Sequence, residues 1–231
     1  MNKTTVFLTT LGLLAAWQSA SAGEITGAIT LKGTPPGEKA IDKSADPHCG
    51  APGTTHHYVV GSKGELANVV VFLEGVSGKS TGASAPPAVL DQKGCEYTPS
   101  IFAVQTGQKI TIKNSDPTLH NVHAEPADNS GNQTINEAQI PNGPDKTYVA
   151  TKPEMFLKFK CDVHPWMFAW VSVFDHPYFA VSAPDGTFKI ANVPPGKYKL
   201  QVAHRKAGTA TQEIEVKEGA PTKADFTLEA K

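Results

Sequence analysis

Residues 156–167 read Phe156-Leu157-Lys158-Phe159-Lys160-Cys161-Asp162-Val163-His164-Pro165-Trp166-Met167. The first half alternates apolar and polar residues, the pattern of a half-buried β-strand. A period of two puts Leu157, Phe159 and Cys161 on one face and the two lysines on the other. The Cys161 thiol therefore points inward at a strand end. The turn that follows supplies an imidazole and a thioether within seven residues of it.

Outward from this stretch the same period recurs. Lys109-Ile110-Thr111-Ile112-Lys113 alternates strictly, and Ile25 to Leu31, Asn68 to Leu73, Ile214 to Val216 and Phe226 to Leu228 are short apolar runs of strand type. Twenty Gly and eighteen Pro punctuate them, at Thr34-Pro35-Pro36-Gly37 and Val193-Pro194-Pro195-Gly196 among other places. Residues 76–87 read as a linker or exposed loop, and Gln133 to Gln139 as one short helix. A chain of 231 residues with 19% charged residues can bury one large core or two small ones, and is expected to be all-β. The formal charge is −1 and no basic run exists, which argues against nucleic acid as a partner.

Residues 1–22 have the form of a secretory signal. Lys3 gives the positive start, Val6 to Trp17 the apolar centre, and Ser19-Ala20-Ser21-Ala22 the small-residue cleavage site. The apolar part is shorter than the about 20 residues needed to span a bilayer. The mature chain is thus expected to be periplasmic, with no membrane span, in a compartment where disulfides persist. Three cysteines remain, an odd number. The simplest partition is a Cys49–Cys95 disulfide and a lone Cys161 used as a thiolate.

Cys161, His164 and Met167, joined by His120 from far upstream, offer two nitrogens, a thiolate and a thioether. That mixture suits copper, with two His and one Cys in a plane and a weak axial Met. Zinc can use the same thiolate and imidazoles, but a thioether adds little for it. His123 lies three residues past His120 and faces the other way in a strand, the substitute ligand if the register differs. His56-His57 and Asp175-His176 read as loop histidines rather than a second metal site, His48 and the isolated His204 are given no role, and Trp170 and Phe174 read as packing.

The spacing Cys-x2-His-x2-Met, with Pro165 and Trp166 between His and Met, resembles the ligand loop of the amicyanin and plastocyanin-like cupredoxins. Asn114 six residues before His120, and the approach Tyr97-Thr98-Pro99 to Lys109-Ile110, resemble the same family. The resemblance implies a Greek-key β-sandwich over 84–176 holding one type 1 copper ion through His120, Cys161, His164 and Met167. It implies a role for Asn114 in bonding across to the Cys161 loop. Pro165 and Trp166 would shape an apolar rim around an exposed edge of His164, where a redox partner docks. It further implies a non-enzymatic electron carrier serving a c-type cytochrome or a periplasmic dehydrogenase. No Cys-x3-Cys, His-Cys-His or Cys-x-x-Cys-His run occurs, so no second copper centre or haem site is indicated.

The flanks carry a weaker likeness. Asp185-Gly186-Thr187-Phe188-Lys189-Ile190 followed by Val193-Pro194-Pro195-Gly196-Lys197-Tyr198 resembles the second half of a carboxypeptidase regulatory-like domain, a small prealbumin-like β-sandwich. Gly27-Ala28-Ile29-Thr30 and Ala67-Asn68-Val69-Val70-Val71 resemble its first half. The 23–83 and 177–231 segments either form one sandwich with the copper-type unit inserted, or follow head to tail. The alternative to an electron carrier is an exported module that binds copper, carbohydrate or a protein without moving electrons.

Overall fold

The structure, a computed structural model, describes residues 22–231, so the expected leader lies outside the described residues except for Ala22. The described chain is all-β, with two single 3-10 turns at Pro47–Cys49 and Gly82–Ser84. The helix expected near residue 135 is instead a strand, Ile135–Gln139. It is a sheet edge, so three of its five side chains face solvent and the composition looks unlike a strand.

Two sandwiches build the molecule. In the first, a five-stranded sheet runs Ile135–Gln139, His120–Glu125, Glu154–Lys160, Phe168–Phe174, Ile101–Gln105. A four-stranded sheet, Lys146–Val149, Lys109–Asn114, Ala88–Gln92, Tyr97–Thr98, lies against it. The inward residues of the alternating strands, among them Ile110, Ile112, Leu157, Phe159 and Val171, form one continuous core. Two pairings are parallel, Phe168–Phe174 with Ile101–Gln105 and Ala88–Gln92 with Lys109–Asn114. They need crossovers, which the connections between sheets provide.

The second sandwich draws on both ends of the chain. Gly23–Lys32 pairs with Thr187–Val193, Pro221–Lys223 and Phe226–Glu229. Val70–Glu74 lies between Phe179–Val181 and Gly196–His204, with Gly208–Val216 at the edge. Ile25, Ile29, Leu73, Ile190, Leu200 and Val202 fill the space between the sheets. Gly27 sits where the first strand changes partner, and a Cβ there would lie 1.8 Å from the Ala224 carbonyl oxygen, so only glycine fits. Residues 76–87 are held rather than free: Gly78 and Lys79 donate backbone N–H groups to Asp175 at 2.6 and 2.9 Å.

A short hairpin, Ala40–Ile41 with Gly53–Thr54, carries the Pro47–Cys49 turn at its tip region. The Cys49–Cys95 disulfide fastens that turn to the first sandwich.

Candidate metal centre

Cys161 ends the Glu154–Lys160 strand, and its thiol is buried as the alternation required. The loop after it folds back on itself: Met167 N–H donates to His164 O at 2.9 Å and Cys161 N–H to Met167 O at 3.2 Å. His120 opens the adjacent strand of the same sheet. The result brings His120, Cys161 and His164 together, with exposures of 0%, 2% and 2%. The two Nδ1 atoms are 3.0 Å apart, and Cys161 Sγ is 4.0 Å from His120 Nδ1 and 3.8 Å from His164 Nδ1. Met167 is buried in the same core.

Each imidazole is fixed from behind by a carboxylate. His120 Nε2 lies 2.8 Å from Asp116 Oδ2, and His164 Nε2 lies 3.1 Å from Asp46 Oδ2. A ring nitrogen facing a carboxylate carries the proton, which leaves the lone pair on the other nitrogen. Both Nδ1 lone pairs then converge on one point beside a thiol sulfur, where neither can satisfy the other. A cation is what such a set accepts. Two ligand atoms each about 2.0–2.3 Å from a common ion lie at most about 4.6 Å apart, and all three separations fall within that limit. Burial, the largest influence, lowers the His120 pKa; Asp116 pulls the other way and His164 adds to the lowering, so the ring stays neutral as a ligand must.

The two carboxylates are themselves anchored. Asp116 accepts the backbone N–H groups of Gly94 and Cys95 at 2.6 and 2.8 Å, so the disulfide turn and His120 share one carboxylate. Asp46 accepts from Thr118 Oγ1 at 2.7 Å and His48 N–H at 2.9 Å. The Thr118 bond is the foremost reason its carboxyl is held well below the usual range. Tyr97, its phenol pushed far up by burial, donates to the Asn121 carbonyl at 2.8 Å and braces the two ligand strands.

Three expectations are corrected. Asn114 does not reach the Cys161 loop; its amide donates to the Thr118 and Gln139 carbonyls and its oxygen accepts from Asp116 N–H. It ends a strand of the opposite sheet, so it shapes the approach to His120 instead. The bond across is made by Asn121, whose N–H donates to Cys161 Sγ at 3.3 Å and whose Oδ1 accepts from Asp162 N–H at 3.1 Å. Second, His164 has no exposed edge, because Asp46 and the disulfide turn cover it. Pro165 is exposed beside it, while Trp166 is half-buried, its ring 5.3 Å from that of His164 and its Nε1 donating to the Cys95 carbonyl at 3.1 Å. Third, His48 is not without a contact: its ring sits 3.1 Å from Asp46. His123 faces away from the thiol as the strand period predicts, against Asp162 at 2.9 Å.

Sequence reasoning missed Asp46, Asp116 and Asn121. Asp116 and Asn121 lie within four residues of His120, and Asp46 within three of a paired cysteine; that proximity was the available signal.

A carboxypeptidase regulatory-like domain model matches residues 165–229, from the end of the ligand loop through the C-terminal strands. No curated protein matches the sequence. Among solved structures, an amicyanin variant is 19% identical with a TM-score of 0.34, covering 45% of this chain and 97% of its own. A purple cupredoxin from Nitrosopumilus maritimus is 22% identical at 0.31, covering 37% and 98%. A copper-containing nitrite reductase from Thermus scotoductus SA-01 is 18% identical at 0.35, and this chain spans 23% of its length. Scores this low carry no weight beside the strand order and donor set described above. On those, the chain joins a two-sheet β-sandwich, which gathers His120, Cys161 and His164 into one candidate metal-binding cluster with Met167 buried in the same core, to a second β-sandwich whose C-terminal part the carboxypeptidase regulatory-like model matches.

Proposed function

We propose that the protein is a periplasmic type 1 copper electron carrier. The convergence of two carboxylate-fixed imidazole lone pairs and a buried thiol supports this reading above all else. His120, Cys161 and His164 would hold the ion, with the Met167 thioether as a weaker donor that favours copper over zinc. Bound copper supplies a one-electron couple between its two oxidation states.

The chain's own part is to change nothing during transfer. Asp116 and Asp46 keep both rings in one tautomer, Asn121 N–H stabilises charge on the Cys161 sulfur, and the disulfide pins the covering segment. Ligands fixed this way need little rearrangement when the ion's charge changes. Leu119 and Val163, each next to a ligand histidine, are exposed, and with Pro165 they give a redox protein an apolar surface. A c-type cytochrome or a periplasmic dehydrogenase is the proposed partner.

The test is an absorption and EPR spectrum after Cu(II) addition, beside Cys161→Ser. An intense visible thiolate-to-copper band, absent in the variant, is expected. A protein that binds Cu(II) without that band, or not at all, refutes the proposal.

A further inference from the structure

Between the two sandwiches lies a cavity of about 390 Å³ that reaches Met167 at one point and otherwise lies outside the residues of the candidate metal centre. One wall comes from the first sandwich and carries Trp166, Phe168 and Trp170; the other comes from the second and carries His204, Arg205 and Lys206, with His57 at the hairpin side. The volume falls in the range of small-molecule sites, about 300–1,000 Å³, and such sites favour domain boundaries.

The charges on its walls are unbalanced. Arg205 lies over the Trp170 ring, its guanidinium carbon 3.1 Å from the ring centroid. Its N–H donors lie within the guanidinium plane, at the edge of the group and clear of the ring below. Neither Arg205 nor Lys206 has a carboxylate partner among the described residues, whereas the other charged groups on the walls are paired: Glu96 with Lys43 at 2.8 Å, and Lys158 with Glu125. Burial without a counter-ion holds the Arg205 pKa down to about 10. His57 is lowered by burial first and by Lys206 next, with the Glu38 carboxylate pulling the other way.

We infer that this cavity is a binding site for a small planar aromatic anion, such as a carboxylate, sulfonate or phenolate. The Trp166 and Phe168 rings would stack on its plane, and the Arg205 fork, held over Trp170, would take its charge together with Lys206. Cation and aromatic groups already stacked on one another are preorganised, so little is lost in ordering them. This inference does not depend on the metal.

Both tryptophans of the described residues line the cavity, so their emission reports on it directly. The experiment uses the full chain with Trp17→Phe, without added metal, titrated with anthraquinone-2-sulfonate. Tryptophan quenching and calorimetry read the same Kd, and 2-(hydroxymethyl)anthraquinone serves as the neutral comparison. One-to-one binding with a Kd on the order of tens of micromolar is expected for a ligand of this size. Arg205→Gln and Lys206→Gln should each weaken it about 10-fold, and the neutral compound should bind at least as weakly as those variants. Arg205→Gln also removes a stacking contact, so Lys206→Gln is the arm that stands if the first fails to fold. The inference is overturned by absence of binding at millimolar probe, by equal binding of the neutral compound, or by variants that leave Kd unchanged.

Discussion

Replacing Asp46 with alanine separates covering from coordination. The carboxylate accepts from Thr118 Oγ1, His48 N–H and His164 Nε2–H, with the exposed His48 ring nitrogen 3.1 Å away as a fourth, solvent-replaceable contact. Thr118 is half-buried and His48 exposed, so water can take over much of their bonding. His164 is 2% exposed and its proton would be orphaned, costing about 1–3 kcal/mol; the other two bonds add about 0.5–1 kcal/mol each at most. A loss of about 2–5 kcal/mol of stability is therefore expected, read by urea unfolding of the metal-free protein. Copper affinity, measured by chelator competition, should fall about 10–100-fold, because nothing then fixes the lone pair on Nδ1. Asp46→Asn sharpens the test. Its oxygen can keep the His48 bond while its amide faces His164 Nε2, which moves the ring proton to Nδ1 and turns a donor into a blocked site. It should lose less stability than the alanine variant and as much affinity. Unchanged affinity in both variants would show that the cover is purely structural and refute the reasoning.

His204 gives a pH dependence remote from the metal cluster. Its Nδ1 accepts the N–H groups of Ala207 and Lys206 at 3.0 and 3.3 Å, and burial lowers its pKa to about 4. A histidine depressed in the folded state binds its proton first in the unfolded chain, at about 6.5. Stability should therefore decline as pH falls from 6.5 towards 4, by at most about 3 kcal/mol from this group. Urea midpoints at pH 7 and 4.5 should differ less in His204→Gln than in the unaltered protein. Removing the disulfide with Cys49→Ala and Cys95→Ala frees a loop with a sequence separation of 46, worth about 4 kcal/mol by chain entropy. It should also weaken copper binding, since the Asp46 turn loses its tether; equal affinity with and without the disulfide would contradict that.

The candidate metal site was readable where its chemistry is local. Cys161, His164 and Met167 are set by one strand end and one turn, and the period-two pattern gave the direction of the thiol. What failed was non-local. Spacing placed Asn114 six residues from His120 but could not say that its strand belongs to the opposite sheet. Asp46 is 118 residues from His164 in sequence, and only the folded hairpin brings it there. The edge strand Ile135–Gln139 looked helical because one side of it packs against a neighbour and the other carries Asn, Glu and solvent. Buried Gln139, which bonds the Gln92 side chain at 2.8 Å and the Ile112 carbonyl at 3.0 Å, holds that edge by polar contacts that no hydrophobic pattern records.

Building one sandwich from both ends of the chain sets an order of events during synthesis. Gly23–Lys32 leaves the ribosome early, and the strands that pair with it begin at Thr187, about 155 residues later. At about 5–20 residues per second, Ile25, Ile29 and Leu31 wait on the order of ten to thirty seconds with no partner sheet. Every strand of the copper-type unit, and the Asp46 turn that covers it, is complete before then. That unit has all its strands in hand while the first strand is still unpaired, and its disulfide is left to form after export. The inserted domain thus acts as a timer for the domain that surrounds it, and the early apolar strand is where a chaperone would be needed.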